Sequence, residues 1–452
     1  MFERLKHIPF ANSMLRRPPG FYGAARRHIA DAEAMDSTAR VNFQNKQIAR
    51  VLQRARTLKG YAGQAQSQNL ADWPLLTKAQ MLGQENDFST SALLPAIPAL
   101  TGGTTGQPMK LMRSWKSAVF EQATIDYICS KFAIEPSSAR IAVLRGDSIK
   151  FASDMTAPFW IDEGPQRRIF SAHHLNAETI CHFKAALRSF QPDILFCYPS
   201  SLKNLLSLIG ENATVKIPLV FASSEMLSEK TITRARNCLG ANVIDFYGHA
   251  ERIACAWSIN GGGYRFLPAY GHIELLPAAT APGDSALLAR VIATSLHPQG
   301  QIFVRYDTGD LVRVPSHDPA VLRKIALGIL PFEAINGRDS EFVELVDGRR
   351  IIGLNHIPRG VTGASSVQIY HSAPQRVDLF IATRAELSHG SIAQLMTNFR
   401  QKFPASVEAR LIFVDSPVRE KNGKAPLLLR MPDPASICPT QIQPCFQMEN
   451  VA

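Results

Sequence analysis

The sequence predicts an α/β protein: a large N-terminal α/β body followed by a small C-terminal α+β unit. Three observations predict it. Between residues 89 and 294, short apolar runs bounded by Gly, Pro or Ser alternate with segments of helical periodicity, the pattern of buried parallel strands joined by helical crossovers. After Gly337 the texture changes, and strand-like runs outnumber helical ones over about 90 residues, enough to carry a core of their own. Over 452 residues, 46% are apolar and 19% charged, a globular balance that excludes wholesale disorder and low-complexity chains.

The elements follow in order. Residues 1–90 are a helical, basic region. The first ten residues, basic and partly apolar, suit either a short helix packed on the body or a contact with a membrane surface. Residues 36–66 read as a helix that Asp36 or Ser37 caps, with Ile48, Val51, Leu52 and Leu58 on one face. Residues 91–339 carry strands at 141–144, 194–197, 219–222, 242–246, 287–294 and 301–304. Helices at 115–131, 177–190, 200–209 and 228–239 lie between them. In residues 340–433, strands are expected at 342–346, 350–352, 366–370, 377–381 and 409–414. A helix is expected at 391–402, with Ile392, Leu395 and Phe399 on one side. Residues 434–452, with two prolines and mostly polar neighbours, read as a tail.

Charge narrows the partners. The formal net charge is +11, and residues 1–60 hold 12 Lys or Arg against four Asp or Glu, so most of the excess is N-terminal. The motif-bearing remainder carries only about +3. A nucleic-acid binder needs a basic face with stacking aromatics, which Phe2, Phe10, Phe21, Tyr22 and Phe43 do not supply, so no nucleic acid is expected. Seven scattered cysteines without a CxxC pair encode neither a disulfide framework nor a zinc ribbon and fit a cytoplasmic setting. Neither a secretory leader nor a transmembrane helix is expected.

The most informative segment is Leu100-Thr-Gly-Gly-Thr-Thr-Gly-Gln-Pro-Met-Lys110. Gly102, Gly103 and Gly106 allow close backbone approach and free N–H groups for an anion. Thr101, Thr104 and Thr105 add hydroxyl donors, and Lys110 adds a charge. That is the composition of a triphosphate cradle, although GxxxxGK[ST] matches at no register; the alternative is a Gly/Thr-rich hairpin turn. Tyr247-Gly-His-Ala-Glu251 follows an apolar strand, where open α/β sheets bind ligands. Glu251 there suits Mg²⁺, a hard cation that shares carboxylate and phosphate oxygens, or is simply solvated on an ordinary loop. In Arg305-Tyr-Asp-Thr-Gly-Asp310 a carboxylate can accept from two ribose hydroxyls, or close a common Asp-Gly turn. Asn336-Gly-Arg-Asp339 marks the border between the units, and Glu420-Lys-Asn-Gly-Lys-Ala425 places a lysine on a turn.

Taken together, the order and spacing of these motifs resemble the adenylate-forming superfamily of acyl-CoA synthetases, peptide-synthetase adenylation domains and luciferases. Within it the chain is most similar to the phenylacetate–CoA ligase family, and to its capsule-biosynthesis-associated branch. Phe170-Ser-Ala-His-His-Leu175, Cys197-Tyr-Pro-Ser-Ser-Leu202 and Ala222-Ser-Ser-Glu225 carry that last likeness. The resemblance runs from about residue 90 to about 432. It implies a large adenylate-forming domain with a C-terminal lid, ATP and Mg²⁺ as cofactors, and a small carboxylic acid as substrate. The acyl group would pass to coenzyme A or to another thiol, an amine or a sugar hydroxyl. Residue by residue, it implies that Thr101–Gly106 hold the ATP phosphates, with Thr104 catalytic. Ser223, Ser224 and Glu225 line the adenine, with Tyr247 and Gly248 beside it. Glu251 holds Mg²⁺, Asp310 takes the ribose hydroxyls, Arg338 reaches the ribose and phosphate, and Lys424 swings in with the lid.

Two departures stand out. Many relatives read Gly-Arg-x-Asp at the hinge, whereas Ser340 occupies that position here, between Asp339 and Glu341. Where some relatives carry a Cys/His cluster suited to zinc, this chain offers only Cys255, His249 and His272, which leaves a His₂Cys site open while a four-ligand zinc is not expected. The altered hinge and basic N-terminus also suit a second class of function, a non-catalytic binding protein of a polysaccharide-assembly complex. The acid pocket is expected around residues 198–201, 222–224 and 246–250, whose Phe, Tyr and Ala suit an apolar or aromatic acid.

Overall fold

Asp36 separates two helices, α1 (Phe21–Ala34) and α2 (Ser37–Ala55), and caps the second by accepting from Ala39 N at 2.8 Å. These coordinates are a computed structural model. It describes residues 14–63, 67–90, 96–100, 109–145, 147, 149–151, 153–210, 215–224, 227–278, 287–297, 300–335, 343–348, 350–351, 354, 357–358, 360–364, 366–383, 386–414, 418, 427–429 and 439–443.

The helix expected over 36–66 stops at Ala55. Beyond it Tyr61 turns inward on a 3₁₀ turn (Lys59–Tyr61) and is 2% exposed. Its hydroxyl donates to Ile302 O and accepts from Val304 N, both at 3.0 Å. Burying that ring beside Trp73 and Phe88 outweighs another helical turn. The same contact explains a second difference. Residues 301–304 are not a strand but a buried connection, whose apolar side chains pack in the core while its backbone meets Tyr61.

α1, which the sequence reading missed, packs on α3 (Trp115–Ser130). Arg17 clamps Asp126 at 2.6 and 3.0 Å, Tyr22 donates to the same carboxylate at 2.6 Å, and Arg26 meets Glu135 at 2.6 Å. Arg40 donates to Leu327 O at 2.9 Å. Part of the basic N-terminal region therefore ties the helices to the body.

Strands β1 (Ala96–Leu100) and β2 (Lys110–Ser114) form an antiparallel pair in which Leu100 faces Lys110. The central sheet contains β3 (Ile141–Leu144), β4 (Trp160–Asp162), β5 (Arg167–Phe170), β6 (Ile194–Cys197), β7 (Leu219–Ser223), β8 (Asn242–Gly248), β9 (Cys255–Ile259) and β10 (Tyr264–Phe266). Their spatial order is β10-β9-β8-β7-β6-β3-β5-β4. The run β5-β3-β6-β7-β8 is parallel, and the outer pairs are antiparallel. One face packs on α4 (Ile180–Phe190), α5 (Pro199–Ile209) and α6 (Glu229–Leu239), the other on α1 and α3. Burial on both faces is why these strands read as unbroken apolar runs.

A second, antiparallel sheet holds β11 (Gly271–Ala278), β12 (Leu288–Ser295), β13 (Tyr306–Arg313) and β14 (Ala334–Ile335), with α7 (Pro319–Ala326) against it. The C-terminal unit has a small hairpin, β15 (Val343–Glu344) with β16 (Arg350–Ile351). Its five-stranded sheet comprises β17 (Ser366–Ala373), β18 (Arg376–Ala382), β19 (Glu408–Val414), β20 (Leu428–Leu429) and β21 (Pro439–Gln443), in the order β20-β17-β18-β19-β21. β21 lies within the stretch read as a tail, where it pairs with β19. α8 (His389–Lys402), capped by Ser388, packs Leu395 and Phe399 onto this unit's core.

Candidate active site

The site forms where the carboxyl end of β8 meets β13. Tyr247 is the penultimate residue of β8 and His249 follows it. Asp310 lies on β13, so the Asp-Thr-Gly-Asp motif sits inside a strand rather than in a turn after one. The ladder slips here: Asp307 pairs with Ile292 and Leu311 with Arg290, leaving three residues opposite Val291. Gly309 takes φ 74°, which only glycine adopts without strain. The bulge sends the two carboxylates apart. Asp307 meets Arg290 at 2.8 Å, while Asp310 turns inward and is 8% exposed.

Inside, Asp310 Oδ2 accepts from Tyr247 Oη at 3.0 Å and lies 2.7 Å from His249 Nε2, which is also 2.7 Å from Tyr247 Oη. Motifs about 60 residues apart in sequence thus close one hydrogen-bonded triangle. Glu251 stands two residues beyond His249, and its Oε1 accepts from Tyr306 Oη at 3.1 Å. The loop is held from below by Arg113 of β2, whose Nε donates to Ala250 O at 3.0 Å. Burial first, then the nearby Arg252 charge, lowers the Arg113 guanidinium to about 10, so it stays protonated at neutral pH. Arg252 follows with φ 56°, and its carbonyl accepts from His297 Nε2 at 2.8 Å.

At the end of the neighbouring strand, Ser223 is buried and Ser224 exposed, with φ 74°. A left-handed serine costs roughly 1 kcal/mol or more and marks a turn shaped for more than chain reversal. Ser223 Oγ accepts from Arg145 Nη2 at 3.2 Å.

The hairpin β1–β2 brings both ends of the Gly/Thr-rich loop to the same body. Gln301 Oε1 accepts from Met112 N at 3.1 Å, and its Nε2 donates to Glu85 O at 3.0 Å. Lys110 opens β2 with its side chain exposed. Thr101, Gly102, Gly103, Thr104, Thr105, Gly106, Glu225, Arg338 and Lys424 lie outside the described residues.

The structure thus brings together Tyr247, Gly248, Glu251 and Asp310, with Ser223 and Ser224 on the adjoining strand end. Sequence reading missed His249 and Arg145 as parts of this surface. The first stood in view within the Tyr-Gly motif, whereas nothing local marks the second. The three candidate zinc ligands have different surroundings. His249 meets Asp310, Cys255 is buried in the core, and His272 Nδ1 lies 2.9 Å from Gln44 Oε1. Among the described residues no group of three His, Cys, Asp or Glu could hold a metal. A single carboxylate such as Glu251 suits Mg²⁺, which typically takes one or two carboxylates plus substrate phosphates. The adjacent His173 and His174 also part company: His174 Nδ1 lies 2.6 Å from Ser171 Oγ, and His173 Nε2 lies 3.2 Å from Lys402 Nζ. No described helix is long and apolar enough to cross a membrane.

No protein-family model matches the chain. It is 22% identical over 284 residues to Protein CapK of Staphylococcus aureus, a match covering 61% of this chain and 60% of that protein's length. Similar solved structures include 2-hydroxyisobutyryl-CoA ligase in complex with 2-HIB-AMP and CoA, at TM-score 0.49 and 14% identity over 87% of this chain and 90% of that one. They also include the O-succinylbenzoate coenzyme A synthetase of Bacillus subtilis in complex with AMP, at TM-score 0.35 and 12% identity over 73% and 67%.

Proposed function

We propose that the protein activates a small carboxylic acid with ATP, forming an acyl-adenylate and pyrophosphate, and then passes the acyl group to a nucleophile such as the thiol of coenzyme A, with AMP as the leaving group. The observation that carries the proposal is the Tyr247–His249–Asp310 triangle beside Glu251, assembled from two of the five motifs that occur in adenylate-forming order. An ordinary Asp-Gly turn and a solvated loop glutamate would have no reason to converge at the carboxyl end of a parallel strand, where α/β sheets bind ligands.

In this reading Asp310 accepts from the ribose hydroxyls. Tyr247 and His249, both at Oδ2, orient the carboxylate. Ser223, Ser224 and Glu225 line the adenine beside Tyr247 and Gly248, and Thr101–Gly106 hold the phosphates. Arg338 reaches the ribose and phosphate. Glu251 would hold Mg²⁺, which, when bound, neutralises charge on the phosphate oxygens.

The acid's carboxylate oxygen attacks the α-phosphorus. A new P–O bond forms, the bond to the bridging oxygen breaks, and pyrophosphate departs with the electron pair. Negative charge grows on the non-bridging oxygens, where Lys424 from the C-terminal unit supplies a cation. A lysine on a separate unit completes the site only once ATP and acid are in place.

Acid-dependent exchange of pyrophosphate into ATP tests the reading. Exchange with at least one acid, reduced on the order of 10²–10³-fold by Lys424→Ala, is the expected result. Failure of the chain to bind ATP in calorimetry would overturn it. Mass analysis of the products with coenzyme A, an amine or a sugar as acceptor identifies the second step.

A further inference from the structure

We propose that Arg145 reads a second anionic group on the acid, so that the substrate is a dicarboxylate or a phosphorylated acid rather than the apolar or aromatic acid that the surrounding side chains suggest. The proposal rests on the adenylation reading above.

The sheet register places Arg145 at the substrate end of the body. Leu144, Cys197, Ala222 and Asp245 are ladder neighbours across β3, β6, β7 and β8. The next row is therefore Arg145, Tyr198, Ser223 and Phe246, one residue short of Tyr247. Alternation puts Ser223 and Phe246 on the same sheet face as Phe221 and Ile244, whereas Tyr198, just past the end of β6, packs against the cluster on the other face. Phe196 and Phe221 rings pack at 5.0 Å, and Phe221 and Phe246 at 5.3 Å, so the face is aromatic up to its edge.

Arg145 lies across that edge. Its guanidinium carbon stands 5.7 Å from the Phe196 ring centre and 5.9 Å from that of Tyr198, and Nη2 donates to Ser223 Oγ. All of these partners are neutral. Nε is buried and has no acceptor among the described residues, and no described carboxylate pairs with the group. Arg167, whose guanidinium feels the Arg145 charge, is matched with Glu163, and Arg168 beside it with Asp162. Burial lowers the Arg167 guanidinium first; the Arg145 charge lowers it further, while Glu163 and Asp147 oppose.

A partly buried cation whose company among the described residues is a hydroxyl and two ring faces is poorly compensated there. The rings and Ser223 hold it in a fixed orientation, and a planar guanidinium fork matches a carboxylate or phosphate through two parallel N–H donors. An apolar acid would desolvate Arg145 further and return nothing. An acid with a second anion would supply the missing acceptor, leaving its first carboxylate for the α-phosphate.

The test is pyrophosphate exchange with a series of dicarboxylates, phosphorylated hydroxy acids and monocarboxylates of matched chain length, using the full chain, R145Q and R145K. The expected preference for the best dianionic acid over its matched monocarboxylate is on the order of 30-fold in kcat/KM. R145Q should erase it by raising KM with kcat little changed, and R145K should keep part of it. Whether the dicarboxylate or the phosphorylated acid is favoured identifies the source of the anion. Preference of the unmodified chain for monocarboxylates, or an equal loss on both classes in R145Q, would overturn the proposal. If no acid of either class supports exchange, the adenylation reading fails, and calorimetry with the same acids decides the Arg145 assignment. Dianion binding lost in R145Q sustains it; no binding, or binding indifferent to R145Q, overturns it.

Discussion

Asp310 Oδ2 lies 2.7 Å from His249 Nε2, although His249 leaves the central sheet and Asp310 belongs to the antiparallel one. With Tyr247 Oη at 3.0 Å, the carboxylate is fixed from two directions before any ligand arrives. Replacing Asp310 with Asn removes the charge and one acceptor at a buried position. ATP should bind on the order of 10–100-fold more weakly, the worth of one or two charged hydrogen bonds. His249→Ala leaves the carboxylate in place but less constrained, and should cost about 10-fold in the KM for ATP. Exchange kinetics at varied ATP check both; an H249A enzyme as impaired as D310N would mean that the imidazole has a larger part than orientation.

The hairpin that bears the Gly/Thr-rich loop is seated by a backbone contact. A Cβ at Gly300 would stand 2.0 Å from Met112 O, so the chain there must be glycine for β2 to lie this close. Gly300 O also accepts from Thr90 N at 2.9 Å. Gly300→Ala should push β2 outward, lower stability by roughly 2–4 kcal/mol and weaken ATP binding even at temperatures where the variant is fully folded. Thermal unfolding and ATP calorimetry measured together check this. A variant that loses stability yet binds ATP normally would place the loop's anchorage elsewhere.

The parallel strands were legible because burial on both faces leaves a short run such as Ile141–Leu144 almost wholly apolar. β13 was not, because the bulge at Gly309 breaks its alternation, and a stronger apolar run at Ile302, Phe303 and Val304 stands just before it and is buried without a ladder. α1 hid because its buried stripe is only Ala25, Ile29 and Ala32, too small to register as a face. The same division holds at the site. Tyr247, Glu251 and Asp310 sit in short Gly-containing motifs, so their order could be read. Arg145 gains meaning only from Phe196, Tyr198 and Ser223, the last 78 positions away, and register rather than sequence makes them neighbours.

Asp245, two residues before Tyr247 and 5% exposed, gives the fold a pH dependence. Burial raises its carboxyl to about 7, against the opposing hydrogen bond from Tyr264. The folded state then holds a proton that the unfolded chain has lost above about pH 4. Stability from this group is therefore fully present below about pH 4 and is lost as pH rises toward 7, at no more than about 1.4 kcal/mol per pH unit. Asp245→Asn keeps the shape and removes the titration. Its denaturant midpoint should fall less than the parent's between pH 5 and 7, and should exceed it at pH 8. Parallel profiles for the two chains would show that Asp245 stays ionised in the fold.

Lys402 and His173 join the two units. Lys402 ends α8 of the C-terminal unit and is 1% exposed; His173 follows β5 of the large body and is 2% exposed. Their nitrogens are 3.2 Å apart, so the ammonium donates to an imidazole Nε2 that must be unprotonated to accept. Burying an ammonium costs several kcal/mol unless donors are matched, so this contact holds only while the units are docked as they stand here. Lys402→Met keeps the packed stem and removes the donor. Amides of α8 and of residues 171–175 should then exchange faster together, by on the order of 10–100-fold, corresponding to about 1–3 kcal/mol of lost docking. His173→Gln preserves an acceptor oxygen and should lose less. If the C-terminal unit must leave this pose to deliver Lys424, K402M should also raise kcat for pyrophosphate exchange. If this is the pose that delivers it, K402M should lower kcat, so the sign of that change assigns the docked arrangement to rest or to adenylation.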